Sequence, residues 1–218
     1  MLDKKITTIL NILTLIFLAI AVKTVDGIGY DSMLYSLSMG FIVSYIFYFL
    51  VVYIPEYKRR KILRESLESQ YLQFKKSCID VFLIISESQE FSNKEELLYL
   101  SKFRNYFNKE NKNGEIRWGV IVNCLQENEY YLKEIIYYLQ MLNEEIKYTR
   151  YSVSLSDPEV FEFLNRLSQL IARMKSTERD YDDIKSFCGF LWSIFTGWDW
   201  TKGYSESDII KDIIGRAK

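Results

Sequence analysis

Residues able to do chemistry are few and scattered in this chain of 218 residues, and histidine is absent. That absence excludes Ser-His and Cys-His nucleophile pairs and every His-ligated zinc or haem site. Cys78, Cys124 and Cys188 are odd in number and show no C-x-x-C spacing, which suits a reducing compartment and not a disulfide framework. No G-x-G-x-x-G, G-x-x-x-x-G-K-[ST] or G-x-S-x-G occurs, so phosphate-loop and hydrolase-elbow chemistry have no support. The acidic run Asp180-Tyr181-Asp182-Asp183 could hold Mg²⁺ through oxygens, but carboxylates before an apolar segment read first as helix caps.

One stretch interleaves cations with aromatics, from Lys102, Phe103, Arg104, Tyr106 and Phe107 to Arg117 and Trp118. Guanidinium against phosphate and rings against bases would suit a nucleotide or oligonucleotide signal, with Lys102, Arg104, Arg117 and Trp118 as ligand contacts. The plainer reading is a solvated helix end whose rings point inward. Trp192, Phe195, Trp198 and Trp200 form an aromatic cluster that packs a core or a subunit interface. The expectation is a protein that is not an enzyme, with no cofactor and no metal. A membrane-bound enzyme using Asp180, Asp182 and Asp183 is the minor alternative.

The elements that carry these residues differ sharply along the chain. Overall, 49% of residues are hydrophobic and 26% charged with a net charge of −1, which excludes a disordered chain and gives no field for duplex nucleic acid. Yet 17 residues between Lys5 and Lys23 lack any charge, as do 24 between Asp31 and Glu56. As helices they reach roughly 25 and 36 Å, against about 30 Å of hydrocarbon. Residues 1–55 therefore read as a transmembrane hairpin, with spans at about 6–22 and 33–54 joined by a polar turn at Gly27 and Gly29.

Lys4 and Lys5 precede the first span, and Lys58, Arg59, Arg60, Lys61 and Arg64 follow the second. The positive-inside rule then places both termini in the cytoplasm of a bacterial-type inner membrane, with the second basic cluster anchored on anionic lipid. Tyr30 and Tyr35 would mark the outer interface, Tyr53 and Tyr57 the inner one. A rival reading takes Ala19-Ile20-Ala21 as the cleavage site of a signal peptide.

Thr7, Asn11 and Thr14 recur at i, i+4, i+7 and share a polar face of the first span. Such a face needs another helix or water. It is packing glue within the hairpin, or it lines the pore of a homo-oligomer. Ser36, Gly40 and Ser44 form a small-xxx-small stripe that permits close helix approach in the second span.

Beyond Pro55 the periodicities predict an all-α body. A juxtamembrane connector helix occupies 56–90, with Ile62, Leu63, Leu67, Tyr71, Phe74 and Cys78 on its apolar face. A cytosolic helical domain fills 91–218. Ser92-Asn93-Lys94-Glu95 has capping-box spacing and opens a helix to Phe107. NKENKNGEIR turns at Gly114, and GVIVNC reads as helical. A long helix over about 126–151 carries Leu132, Ile135, Ile136, Leu139, Leu142 and Ile146, and Ser156-Asp157-Pro158-Glu159 starts its antiparallel partner. That partner carries Val160, Phe161, Leu164, Leu167, Ile171 and Met174. Asp182 or Asp183 caps a short apolar segment broken by Gly189 and Gly197, and Ser205 opens a last helix ending near Gly215.

In the order of its parts, two spans and then a cytosolic helical domain, the chain resembles two-span membrane effectors of bacterial anti-phage (abortive-infection) defence. The resemblance implies regulation by a phage cue or nucleotide signal and toxicity by membrane permeabilisation. The expected function is an oligomeric membrane effector forming a pore gated by its helical domain, with membrane lipids and further copies of itself as partners. The alternative is a non-conducting, membrane-anchored binding or scaffold protein.

Overall fold

The computed structural model describes residues 4–24, 30–86, 93–152, 157–199, 201 and 203–217. The turn at Gly27 and Gly29, and Ser92, Ser156 and Trp200, lie outside them. The chain is mostly helical and forms two compact units, Met1–Ile62 and Leu63–Lys218.

The first unit is built on α1 (Lys4–Thr24) and α2 (Tyr30–Tyr48). They run antiparallel, since Asn11 meets Tyr45 and Phe17 stacks on Phe41 with ring centroids 4.3 Å apart. Among the described residues of the pair, Ala21 and Ser38 are buried small side chains. A π-helical turn, Phe49–Tyr53, follows and leads into α3 (Ile54–Ile85). Pro55 explains that turn: it has no N–H for the carbonyl four residues back, and its ring crowds that position. The backbone widens so that the Ile54 N–H reaches the carbonyl of Phe49, and the helix continues. Among the described residues one helical run, Asp31–Ile85, is long and apolar enough to cross a membrane, while Thr8–Thr24 is a shorter apolar helix.

The second unit takes α3 from Leu63 onward as its central helix. Leu63, Leu67, Tyr71, Phe74, Cys78, Phe82 and Ile85 are buried at steps of three or four residues. Ile62, expected on that face, is 64% exposed. The helix predicted through Phe107 is in fact two pieces. A 3₁₀ turn, Lys94–Leu98, ends at extended Tyr99, and α4 (Leu100–Phe107) follows. The break lets Leu97 and Leu100 both enter the core. Asn93 makes no capping bond to the backbone; its amide instead donates to Glu96 at 2.7 Å.

Gly114 takes φ +80° in the polar turn, and α5 (Arg117–Glu127) begins just beyond it. The long helix is α6 (Glu129–Ser152), with Leu132, Ile135, Leu139, Leu142 and Ile146 buried and Ile136 half-buried. Asp157 caps α7 (Pro158–Met174) by accepting from the Glu159 N–H at 3.0 Å. Phe161 departs from the expected stripe and lies exposed beneath the Arg150 guanidinium.

The cap of α8 (Tyr181–Thr196) is Asp180, which accepts from the Asp182 and Asp183 N–H groups; those two acids sit in the first turn. α8 buries Phe187, Cys188, Leu191 and Phe195 in the core and ends at Gly197, φ +68°. A two-residue antiparallel pair, Trp198–Asp199 (β1) with Gly203–Tyr204 (β2), was not foreseen from the periodicities. Asp208, and not Ser205, caps the last helix, α9 (Ile209–Arg216). At the centre, the rings of Phe82, Phe103, Phe107, Trp118, Trp192 and Phe195 pack mostly tilted or edge-on within 4.4–6.3 Å.

Candidate functional site

In the first unit the outer surface of α1 and α2 is apolar nearly all round. Leu15 and Val22 of α1, with Met33, Leu37 and Phe47 of α2, are all more than 60% exposed. A surface of this kind is unfavourable in water and matches hydrocarbon. Asn11 accepts a hydrogen bond from the Tyr45 hydroxyl, across the pair. The Thr14 hydroxyl donates to the Leu10 carbonyl at 2.8 Å, one turn back on its own helix. The Thr7 side chain lies outside the described residues. Thus Asn11 is used between α1 and α2 while remaining exposed, and Thr14 is satisfied locally.

The stripe Ser36, Gly40, Ser44 is exposed along its length, and a Cβ added at Gly40 would meet no atom within 4 Å. Close approach between α1 and α2 uses Ala21 and Ser38 instead. Ser36 and Ser44 return their hydroxyls to the carbonyls of Ser32 and Gly40, at 3.0 and 2.8 Å. Of the basic cluster, Lys58, Arg59 and Lys61 are exposed and Arg64, in the second unit, is half-buried. Arg60 differs: its side chain is 6% exposed, and its Nε donates to Glu56 at 2.9 Å.

In the second unit, the four expected ligand contacts do not converge. Lys102 lies 3.8 Å from Glu96, and Arg104 stacks on Tyr204 at 4.4 Å. Arg117 donates to the carbonyls of Tyr106 and Lys109 at 3.3 Å and covers the Tyr106 ring, while Trp118 joins the aromatic core. Neither of the two cavities described below is lined by any of the four. Among the described residues no three Asp, Glu or Cys side chains gather as a metal site.

The buried polar centre of this unit lies elsewhere. Lys75, 3% exposed, donates to Asp208 at 2.9 Å and to the Leu98 carbonyl at 3.4 Å. The Tyr71 hydroxyl donates to both Asp208 oxygens at 3.0 Å. Burial, followed by the Asp208 charge and hydrogen bond, pushes the Tyr71 pKa well above its ordinary value. Asp208 also accepts from the Lys211 N–H, so one carboxylate ties the start of α9 to α3. Lys75, Tyr71 and Asp208 bond to one another, and Lys75 also reaches the Leu98 carbonyl, so the cluster ties α3 to the segments that start α4 and α9. Reading the sequence missed it. Its signals were a lysine one turn beyond Tyr71 on an apolar face and an Asp directly before an Ile-Ile pair.

Asp208 stands between two cavities. One, about 690 Å³, is edged by charged residues including Glu68, Lys76, Glu95 and Lys211. The other, about 750 Å³, lies between α7, α8 and α9 and is lined mainly by apolar side chains. Two of the three thiols are buried, Cys78 and Cys188, and Cys124 is half-buried. Burial pushes Cys78 well up and Cys188 up to about 12. No protein family, no curated protein and no solved structure matches this chain.

Proposed function

We propose that the chain is an oligomeric membrane effector. Its N-terminal unit spans the bilayer as the α1–α2 pair, several copies form or disrupt a pore, and the C-terminal helical unit controls it. The observation that carries this reading is the Ser36/Gly40/Ser44 face. It is shaped for close helix approach, yet α1 leaves it open beside a surface that is otherwise apolar. Another copy of α2 is the natural occupant of such a face. The Asn11 side chain, exposed while bonded to Tyr45, would then lie at the polar boundary of the assembly. In the same reading both termini are cytoplasmic and Lys58, Arg59 and Lys61 rest on anionic headgroups. A role in anti-phage defence follows from the layout of parts.

A non-conducting anchor is the second reading, favoured by Thr14, whose hydroxyl is already satisfied by its own helix. The experiment is the mass of the purified full chain in detergent, wild type beside Gly40→Leu. A multiple of the chain mass that falls to a monomer in Gly40→Leu supports the oligomer. A wild-type monomer defeats it.

A further inference from the structure

The cavity of about 750 Å³ is where the second unit leaves its core open. α8 turns small residues toward it, Ser186, Gly189 and Ser193, and a Cβ at Gly189 would meet nothing within 4 Å. Phe163, Leu170 and Met174 of α7 form one wall and Ile209 of α9 belongs to the other, with Leu170 and Ile209 at least 40% exposed. Such a space is wetted at a cost that an alkyl chain would remove.

The charged groups lining it decide what else the occupant carries. Asp199 accepts from the Thr201 N–H and hydroxyl at 2.8 and 2.6 Å. Asp208 is engaged by Lys75 and Tyr71. Asp182 sits in the first turn of α8, where the helix N-terminus stabilises a carboxylate. Lys185 has no carboxylate partner among the described residues; its ammonium lies 5.6 Å from the centre of the Tyr181 ring. We propose that this cavity binds a fatty acid, its alkyl chain lying between α7, α8 and α9 and its carboxylate on Lys185. The proposal rests on the membrane reading only for its source, the bilayer beside the protein.

All four tryptophans, at 118, 192, 198 and 200, lie outside the spans, and Trp198 lines the cavity. A palmitic acid brominated along its chain therefore reports on the cavity by quenching tryptophan fluorescence of the full chain in phosphatidylcholine vesicles. Quenching is expected to saturate and to lose most of its amplitude in Trp198→Phe. Lys185→Gln should raise half-saturation about tenfold, the loss of one charge-assisted contact. A Cβ at Gly189 has open space, so Gly189→Leu extends into the cavity and should abolish saturable quenching while the melting temperature holds or rises. If that variant does not fold, Ser186→Leu serves the same purpose. Unchanged quenching in a folded cavity-filled variant overturns the proposal, as does equal quenching by brominated phosphatidylcholine. Delivery from cyclodextrin without vesicles separates the two claims. Saturable quenching there, in a chain that conducts nothing in liposomes, keeps the cavity and removes the pore reading. Conductance without saturable quenching does the reverse.

Discussion

Replacing Lys75 by Met removes the positive member of the most buried ion pair described. Breaking a fully buried pair from one side costs about 3–5 kcal/mol, because the surviving charge is left without compensation. Here the Lys75 side chain is 3% exposed but Asp208 is 18% exposed, so its carboxylate regains some water and keeps the Tyr71 hydroxyl. The expected cost is therefore about 2–3 kcal/mol, just below that range. For a chain of this length it amounts to roughly 5–10 °C in melting temperature. Asp208→Asn retains the α9 cap, since an amide oxygen can still accept from the Lys211 N–H, and should cost about 2 kcal/mol by stranding Lys75. The double variant should recover about 1.5 kcal/mol or more relative to the sum of the two. Urea unfolding followed by tryptophan fluorescence reports the second unit alone, because every tryptophan lies in it. Strict additivity of the two substitutions would refute the account of this cluster.

Gly197→Ala should destabilise the second unit by about 1–2 kcal/mol, read as a lower melting temperature. The position has φ +68°, and the new Cβ would stand 3.0 Å from Leu100 Cδ1. Stability should also fall in alkali. Cys78, Cys188 and Tyr71 are neutral when protonated, and burial raises their pKa values in the folded state. The unfolded chain therefore loses these protons first. Stability is complete below about pH 9 and declines as pH climbs toward the folded value of about 12 for Cys188, a slope that Cys188→Ala should flatten in pH-dependent melts. Tyr45→Phe deletes the bond to Asn11 and should weaken the α1–α2 pair by about 1 kcal/mol, seen as unfolding at lower SDS fraction in micelles.

Much of the architecture was legible because apolar side chains recur at helical spacing. The stripes of α6 and α7 and the cap at Asp157 needed only local reasoning. The misplacements have local causes with distant reasons. Tyr99 interrupts a good helical pattern so that Leu97 and Leu100 can both be buried, a demand set by the rest of the core. Phe161 fits the stripe by spacing, yet it serves as a platform for Arg150. The site was less legible. Lys75 and Asp208 are 133 residues apart, and no pattern within either helix announces their pairing. Arg117 and Trp118 have the composition of a ligand site, but the first is turned to backbone carbonyls and the second to the aromatic core. The small-residue stripe of α2 was visible as spacing; only the structure shows that α1 does not use it.

Ion flux from liposomes carrying the full chain tests the central claim most directly. The account predicts flux that Asn11→Leu and Thr14→Leu alter and that Gly40→Leu, by preventing assembly, abolishes. No flux at any protein-to-lipid ratio, from a chain shown to be inserted in the bilayer, would contradict it and leave a membrane anchor.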